Sequence, residues 1–244
     1  MIKDKTFKQR ALLFATLADA AYKDKKGATK VAKELGFTTT VFYDKAGAQA
    51  YKFMNRHDLV IACRGTEPTQ WNDISADLKA VPVAAETVSR VHKGFKLEVD
   101  ELWPMIIRDV ATHAAKRNVW FTGHSLGAAM TTIMASRCAE DADVCEVYTF
   151  GSPRVGWKKY CRSLNVTHHR FVNNNDIVSR VPLAIMGYKH HGTEHYFNSE
   201  GKLTKMTWKD RFSGMWDGLK KGSIDVIADH PMSQYLSCIE KMEN

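Results

Sequence analysis

The run Gly123-His124-Ser125-Leu126-Gly127 constrains this chain more than any other feature. It lies between an apolar strand-like stretch, Val119-Trp120-Phe121-Thr122, and the small-residue opening of a helix, Ala128-Ala129-Met130. A G-x-S-x-G pattern alone also fits a glycine-flanked serine in an ordinary turn. The strand–turn–helix setting gives it meaning, because a nucleophile elbow needs that setting. Two glycines let the backbone pack closely through a sharp turn and hold the Ser125 hydroxyl clear of a sheet. The N–H groups opening the next helix then face any negative charge that develops beside it.

The surrounding pattern agrees with a domain of mixed strands and helices. An opening helix is expected over roughly 4–23, where Phe7, Ala11, Phe14, Ala18 and Ala21 recur at helical spacing. A short helical stretch follows near Thr29–Leu35. Strands are expected at Thr38–Tyr43, Ala48–Phe53 and Leu59–Cys63, with Asp44-Lys45-Ala46-Gly47 turning the first pair. Ser89–Arg117 reads as a long helix carrying Val91, Phe95, Val99, Leu102 and Ile106, bent or split at Pro104. Beyond it come a strand at Val119–Thr122, a helix at Ser125–Ala139, a strand at Val144–Phe150 and a helix at Pro153–Arg162 opened by its proline. His169–Val172 reads as a strand. Tyr196–Asn198 and Leu203–Met206 read as a hairpin around Ser199-Glu200-Gly201, and a last helix starts near Pro231. Antiparallel hairpins followed by β-α-β alternation imply an α/β fold with a mixed sheet. The absence of repeats or linkers over 244 residues implies one domain spanning 1–244.

Composition removes several function classes. With 44% hydrophobic and 25% charged residues, the chain is neither disordered nor collagen-like. No apolar stretch approaches the ~20 residues that cross a bilayer; the longest, Ala11 to Tyr22, is interrupted by Asp19. The net charge of +8 is scattered and comes with no nucleic-acid motif. It describes a solvated basic surface, with weak attraction to anionic lipid headgroups as the alternative, and nucleic acid is not an expected partner. Five cysteines, an odd number without a CxxC pair or zinc-site spacing, suit buried thiols in a reducing compartment. The segment from Lys3 to Ala21 imitates a short signal peptide but runs on as a helix suited to docking on a core. The expected location is therefore cytoplasmic, or outside the cell by a route without a signal peptide.

From the elbow outward the sequence resembles the class 3 (fungal-type) lipases of the α/β-hydrolase superfamily. The likeness runs from about Leu17 to Tyr235. It rests on ordered matches: Arg64-Gly65-Thr66, Trp71 to Leu78, Val91-His92-Lys93-Gly94-Phe95, the elbow, Gly151-Ser152-Pro153-Arg154-Val155-Gly156, Asn175-Asp176-Ile177-Val178 and Asp229-His230. The resemblance implies an α/β-hydrolase fold, a central mixed but mostly parallel sheet flanked by helices. It implies Ser125 as nucleophile, His230 as general base and then acid, and Asp176 as the group orienting the imidazole, in the chain order Ser…Asp…His that such hydrolases use. It also implies oxyanion donors at Leu126 and Thr66, although Thr66 suits a helix N-cap as well.

Other residues compete for these roles. His124 reads as a packing or rim group, and His168, His169, His190, His191 and His195 fall in strand or hairpin regions. Asp229 reads as a cap or local acceptor, and Asp217 and Asp225 are alternative third members. His191-Gly192-Thr193-Glu194-His195 spells H-x-x-E-H, which binds zinc only on a helix; Gly192 and the β-formers after it favour a strand. The stretch also resembles a family segment beginning at Gly187. Zinc is therefore not expected, a surface calcium stays open, and no cofactor is implied.

The resemblance places a lid at 67–81. There Trp71, Ile74 and Leu78 share a helical face that would cover the site in water and open on lipid, unless the segment is a fixed surface helix. Trp208, Phe212, Met215, Trp216 and Leu219, among lysines and an arginine, form a second amphipathic face suited to a lipid interface or to core packing. The implied substrate is a lipid ester, hydrolysed through an acyl-enzyme. A phospholipase A1 or a short-chain esterase would use the same residues, and a silent lipid-binding module on the same fold is the alternative outside enzymes. Oligomeric state is not legible.

Overall fold

A computed structural model describes residues 1–65, 80–140, 143–206 and 228–243. Thr6 opens the first helix, α1 (Phe7–Ala20), with a capping box: its hydroxyl accepts from the Gln9 amide and the Gln9 side chain accepts from the Thr6 amide. Ala11, Phe14, Leu17 and Ala18 of α1 are fully buried, so this stretch is a core helix. Next come α2 (Lys25–Glu34), capped by Asp24, and the hairpin β1 (Thr39–Lys45) and β2 (Ala48–Met54). The hairpin closes over Ala46 and Gly47, both at positive φ, as a two-residue hairpin turn requires.

The main sheet continues with β3 (Asp58–Cys63), β6 (Asn118–His124), β7 (Val144–Phe150), β9 (Thr167–Asn173), β11 (Thr193–Phe197) and β12 (Leu203–Thr204). Its order is β1-β2-β3-β6-β7-β9-β11-β12: parallel from β3 to β11, antiparallel at both ends. The period of two in a strand divides its apolar residues between two cores. Val60, Ala62, Trp120, Tyr148 and Phe150 face α1, α2 and the closing helix α6 (Met232–Glu240). Leu59, Ile61, Val119, Phe121 and Val147 face α3 (Lys93–His113) and α4 (Leu126–Cys138). Burial on both sides explains why the central strands read as continuous apolar runs.

A small antiparallel sheet, β10-β8-β5-β4, joins β4 (Pro82–Ala84), β5 (Arg90–His92), β8 (Gly156–Trp157) and β10 (Tyr188–Lys189) beside the main one. It corrects two sequence expectations. The long helix begins at Lys93, because Arg90–His92 pairs with β4 and β8; Val91 faces Gly156 in that sheet. Likewise the helix expected from Pro153 is only α5 (Lys158–Ser163). The Arg154 amide bonds to the Val181 carbonyl and the Val155 carbonyl accepts from His92, so tertiary partners take the backbone groups a helix would use. Pro104, in turn, does not split α3. Phe95, Val99, Leu102, Ile106 and Val110 anchor the helix in the core, and burying that row outweighs the ~3 kcal/mol of an interior proline. No helix of the described residues is long and apolar enough to cross a membrane.

Candidate active site

The carboxyl ends of β6, β7 and β9 form one edge of the sheet, and the candidate residues leave from it. Ser125 follows β6 directly at φ 58° and ψ −130°, a conformation that L-residues rarely adopt. Its own amide bonds to the Phe150 carbonyl at 3.0 Å, which ties the turn to β7. The flanking glycines are required by close approach: a Cβ on Gly123 would sit 2.5 Å from the Gly127 carbonyl oxygen, and one on Gly127 would overlap the Cys63 carbonyl.

The structure brings Ser125, His230 and Asp176 together, and all three are buried. Ser125 Oγ lies 2.8 Å from His230 Nε2, and His230 Nδ1 lies 2.9 Å from Asp176 Oδ2. Burial alone would push the Asp176 carboxyl upward, but the charge and hydrogen bond of His230 and the hydrogen bond from Tyr235 outweigh it, so it stays below the ordinary carboxylate value. An ionised Asp176 accepts a hydrogen bond from Nδ1–H, which leaves Nε2 as the acceptor of the Ser125 hydroxyl. The other Asp176 oxygen accepts from the Val178 amide at 2.9 Å. Leu126 opens α4, and its N–H is among the helix-start donors without a partner inside the helix.

Three supports were not legible in the sequence. Tyr235, on the first turns of α6, donates to Asp176 Oδ2 at 2.5 Å and accepts from the Asn173 amide at 3.1 Å. His124 spans the serine turn and the histidine loop: Nε2 donates to the His230 carbonyl at 2.8 Å, and Nδ1 accepts from the Tyr22 hydroxyl at 2.8 Å. Burial, then the neighbouring His230 charge, pushes His124 down to about 3, so it is a neutral spacer. Gly151, at φ 57°, passes so close that a Cβ there would lie 2.7 Å from Asp176 Oδ2. Spacing hints at Tyr235 alone, on the helix that opens just after His230; hydroxyl direction is a tertiary fact.

The competing residues lie elsewhere. Asp229 bonds Asn174 and the Asn175 amide, so it clips the His230 loop to the Asp176 loop. His168 pairs with His191 at 3.1 Å, His169 with His195 at 3.0 Å, and His190 bonds the Ser179 carbonyl. His195 stands in strand β11 with His191 just before it, and no group of three metal-ligating side chains occurs among the described residues. The five cysteines form no disulfide with one another. Thr66, Trp71, Ile74, Leu78, Asp217, Asp225 and the Trp208–Leu219 face lie outside the described residues.

Residues 60–186 match the lipase (class 3) family. The chain belongs to it. Among curated relatives, it is 30% identical over 191 residues to the lipase of Rhizomucor miehei, covering 72% of this chain and 52% of that protein. It is 27% identical over 186 residues to the toxin TseL of Vibrio cholerae, covering 59% of this chain and 29% of that protein. The chain thus spans about half or less of the length of these relatives. In solved structures, it superposes on a triacylglycerol lipase described as having a serine-protease triad as its catalytic centre. The TM-score is 0.66 at 25% identity, over 79% of this chain and 82% of that one. The Rhizomucor miehei triacylglyceride lipase structure gives a TM-score of 0.67 at 24% identity, over 80% and 83%. The shared fold is the α/β-hydrolase architecture, with its mixed, mostly parallel sheet flanked by helices.

Proposed function

We propose that this chain is a serine carboxylester hydrolase of lipase type, a single domain over 1–244 acting on acylglycerol esters. Ser125 Oγ attacks the ester carbonyl while His230 Nε2 takes its proton; the tetrahedral oxyanion is held by the Leu126 N–H and by Thr66. Collapse releases the alcohol, which takes the proton from His230, and leaves an acyl group on Ser125. Water, deprotonated by His230, attacks that acyl group; collapse frees the acid and returns the proton to Ser125. Asp176 keeps the imidazole in the productive tautomer and stabilises its charged form throughout. No step needs a metal or cofactor. The observation that carries this reading is the unbroken relay Ser125–His230–Asp176 at 2.8 and 2.9 Å, with the serine held at positive φ.

Ser125 is fully covered, so an ester reaches it only when part of the covering chain moves. That supports 67–81 as a lid, with Trp71, Ile74 and Leu78 turning to a lipid interface. The test is a panel of esters of increasing acyl length, dissolved and aggregated, run on the parent and on Ser125→Ala with fluorophosphonate labelling alongside. The proposal expects labelling and turnover that vanish in the variant, and a rate jump where the substrate aggregates. Well-folded parent protein that neither labels nor turns over would defeat it. Turnover without the jump would reduce it to an esterase.

A further inference from the structure

Between β9 and β10 the chain makes a loop that carries Asp176, and just past β10 the His190 ring bonds the loop's Ser179 carbonyl. Its tip, Leu183-Ala184-Ile185-Met186, is a short 3-10 turn of four apolar residues, and all of them are exposed. Ile185 is 91% exposed, Leu183 56% and Met186 47%, the densest group of large exposed apolar side chains among the described residues. The turn is preformed. Met186 and Gly187 donate to the Leu183 and Ala184 carbonyls, and the Arg154 guanidinium holds the Arg180 and Pro182 carbonyls at its base. Burying the tip therefore costs little ordering entropy.

The surroundings are cationic. Residues 151–193 contain seven Lys or Arg, of which Lys158, Lys159, Arg162 and Lys189 are exposed while Arg170 is buried and paired with Glu194; the one acidic residue of the segment, Asp176, is buried against His230. Tyr188 pairs with Trp157 across β10 and β8, and a Cβ on Gly187 would lie 3.4 Å from the Trp157 indole nitrogen, so the tip rises beside Trp157. Lys158 and Lys159 follow Trp157 in the chain, Lys189 follows Tyr188 in β10, and all three are exposed; the Arg90 guanidinium sits 5.3 Å from the centre of the Trp157 ring. An apolar tip in a lysine collar is what an anionic bilayer recognises: side chains enter the acyl boundary while ammonium groups meet phosphates.

We propose that the Leu183–Met186 tip, with Lys158, Lys159 and Lys189, is a docking surface for anionic phospholipid bilayers that brings the edge bearing Ser125 to the membrane. The inference rests on the hydrolase reading only for its purpose; the docking itself can be measured without turnover. Ser125→Ala protein is sedimented with phosphatidylcholine vesicles, with and without phosphatidylglycerol. Binding is expected to strengthen with phosphatidylglycerol and weaken as salt is raised. Ile185→Asp should weaken partitioning by about tenfold or more. Lys158→Glu with Lys189→Glu should remove the phosphatidylglycerol preference, about fivefold per lysine. With Ser125 restored, these variants should keep the parental melting temperature and the parental rate on a dissolved short-chain ester.

Unchanged vesicle binding by Ile185→Asp, or equal binding to both vesicle types, overturns the proposal. So does a parental dimer that Ile185→Asp splits while vesicle binding persists, since a second copy would then be the occupant. A parent that binds vesicles but hydrolyses no ester would instead strike the hydrolase reading and leave the docking surface standing.

Discussion

Replacing Tyr235 with Phe removes one oxygen from the centre of the molecule and tests the support beneath Asp176. The ring is fully buried and stays in place, so packing barely changes. Two bonds go: the donation to the Asp176 carboxylate at 2.5 Å and the acceptance from the Asn173 amide at 3.1 Å. The first, to a charged group, is worth ~1.5–3 kcal/mol, and stranding the amide costs ~1–3 kcal/mol. Against these, the variant no longer has to desolvate a hydroxyl, a relief of ~1–3 kcal/mol. The net loss is ~2 kcal/mol, a fall in Tm of ~4–8 °C for a chain of this size.

Because the carboxylate form of Asp176 makes the bond, this loss depends on pH. The folded Asp176 lies below its ordinary value, so the contribution is complete above the unfolded pKa of ~3.9 and vanishes as pH falls through the folded value. Thermal melts followed by circular dichroism at neutral pH and at successively lower pH read both effects. On a dissolved ester, kcat should fall by roughly tenfold with KM unchanged, the loss of ~1.4 kcal/mol of positioning. A Tyr235→Phe protein that melts with its parent at neutral pH would refute the reasoning.

Asp176→Asn should keep the fold and lose ~10³–10⁴ in kcat, because an amide does not hold the Nδ1–H tautomer; turnover within tenfold of the parent would remove Asp176 from its role. Gly151→Ala places a methyl 2.7 Å from Asp176 Oδ2 in a left-handed backbone, so activity and Tm should both drop; a fully active variant would mean the loop yields freely. Acid should destabilise the chain before its carboxylates titrate. Burial pushes His168 and His190 well below 6.5, lowers His191, and holds His195 at about 4. The unfolded chain takes up protons below ~6.5 that the folded one refuses, so stability declines from about pH 6.5 towards 4. Urea midpoints measured between pH 7.5 and 4.5 should fall steadily, and a flat series would contradict this.

The legibility of each element followed how locally its cause acts. The turn at Ala46-Gly47 and the strand–elbow–helix unit at 119–139 answer to rules within a few residues, and they form close to where the pattern placed them. Strand β5 and the late start of α5 depart from the local pattern because their pairing partners lie far along the chain: Val91 meets Gly156, and the Arg154 amide meets the Val181 carbonyl. Pro104 signalled a break that the buried row of α3 overrides.

For the site, sequence alone determined residue types, their order, and the turn that carries Ser125, since φ/ψ limits and the close approach of Gly123 to Gly127 are local. Only the tertiary structure decided that Nε2 of His230 reaches that hydroxyl, that Tyr235 and not merely His230 holds Asp176, and that His124 ties Tyr22 to the His230 backbone. Hydrogen bonds hold within a few tenths of an ångström and a narrow cone of angles. Between residues 59 or more positions apart, that geometry is set by how the sheet twists and the helices settle on it.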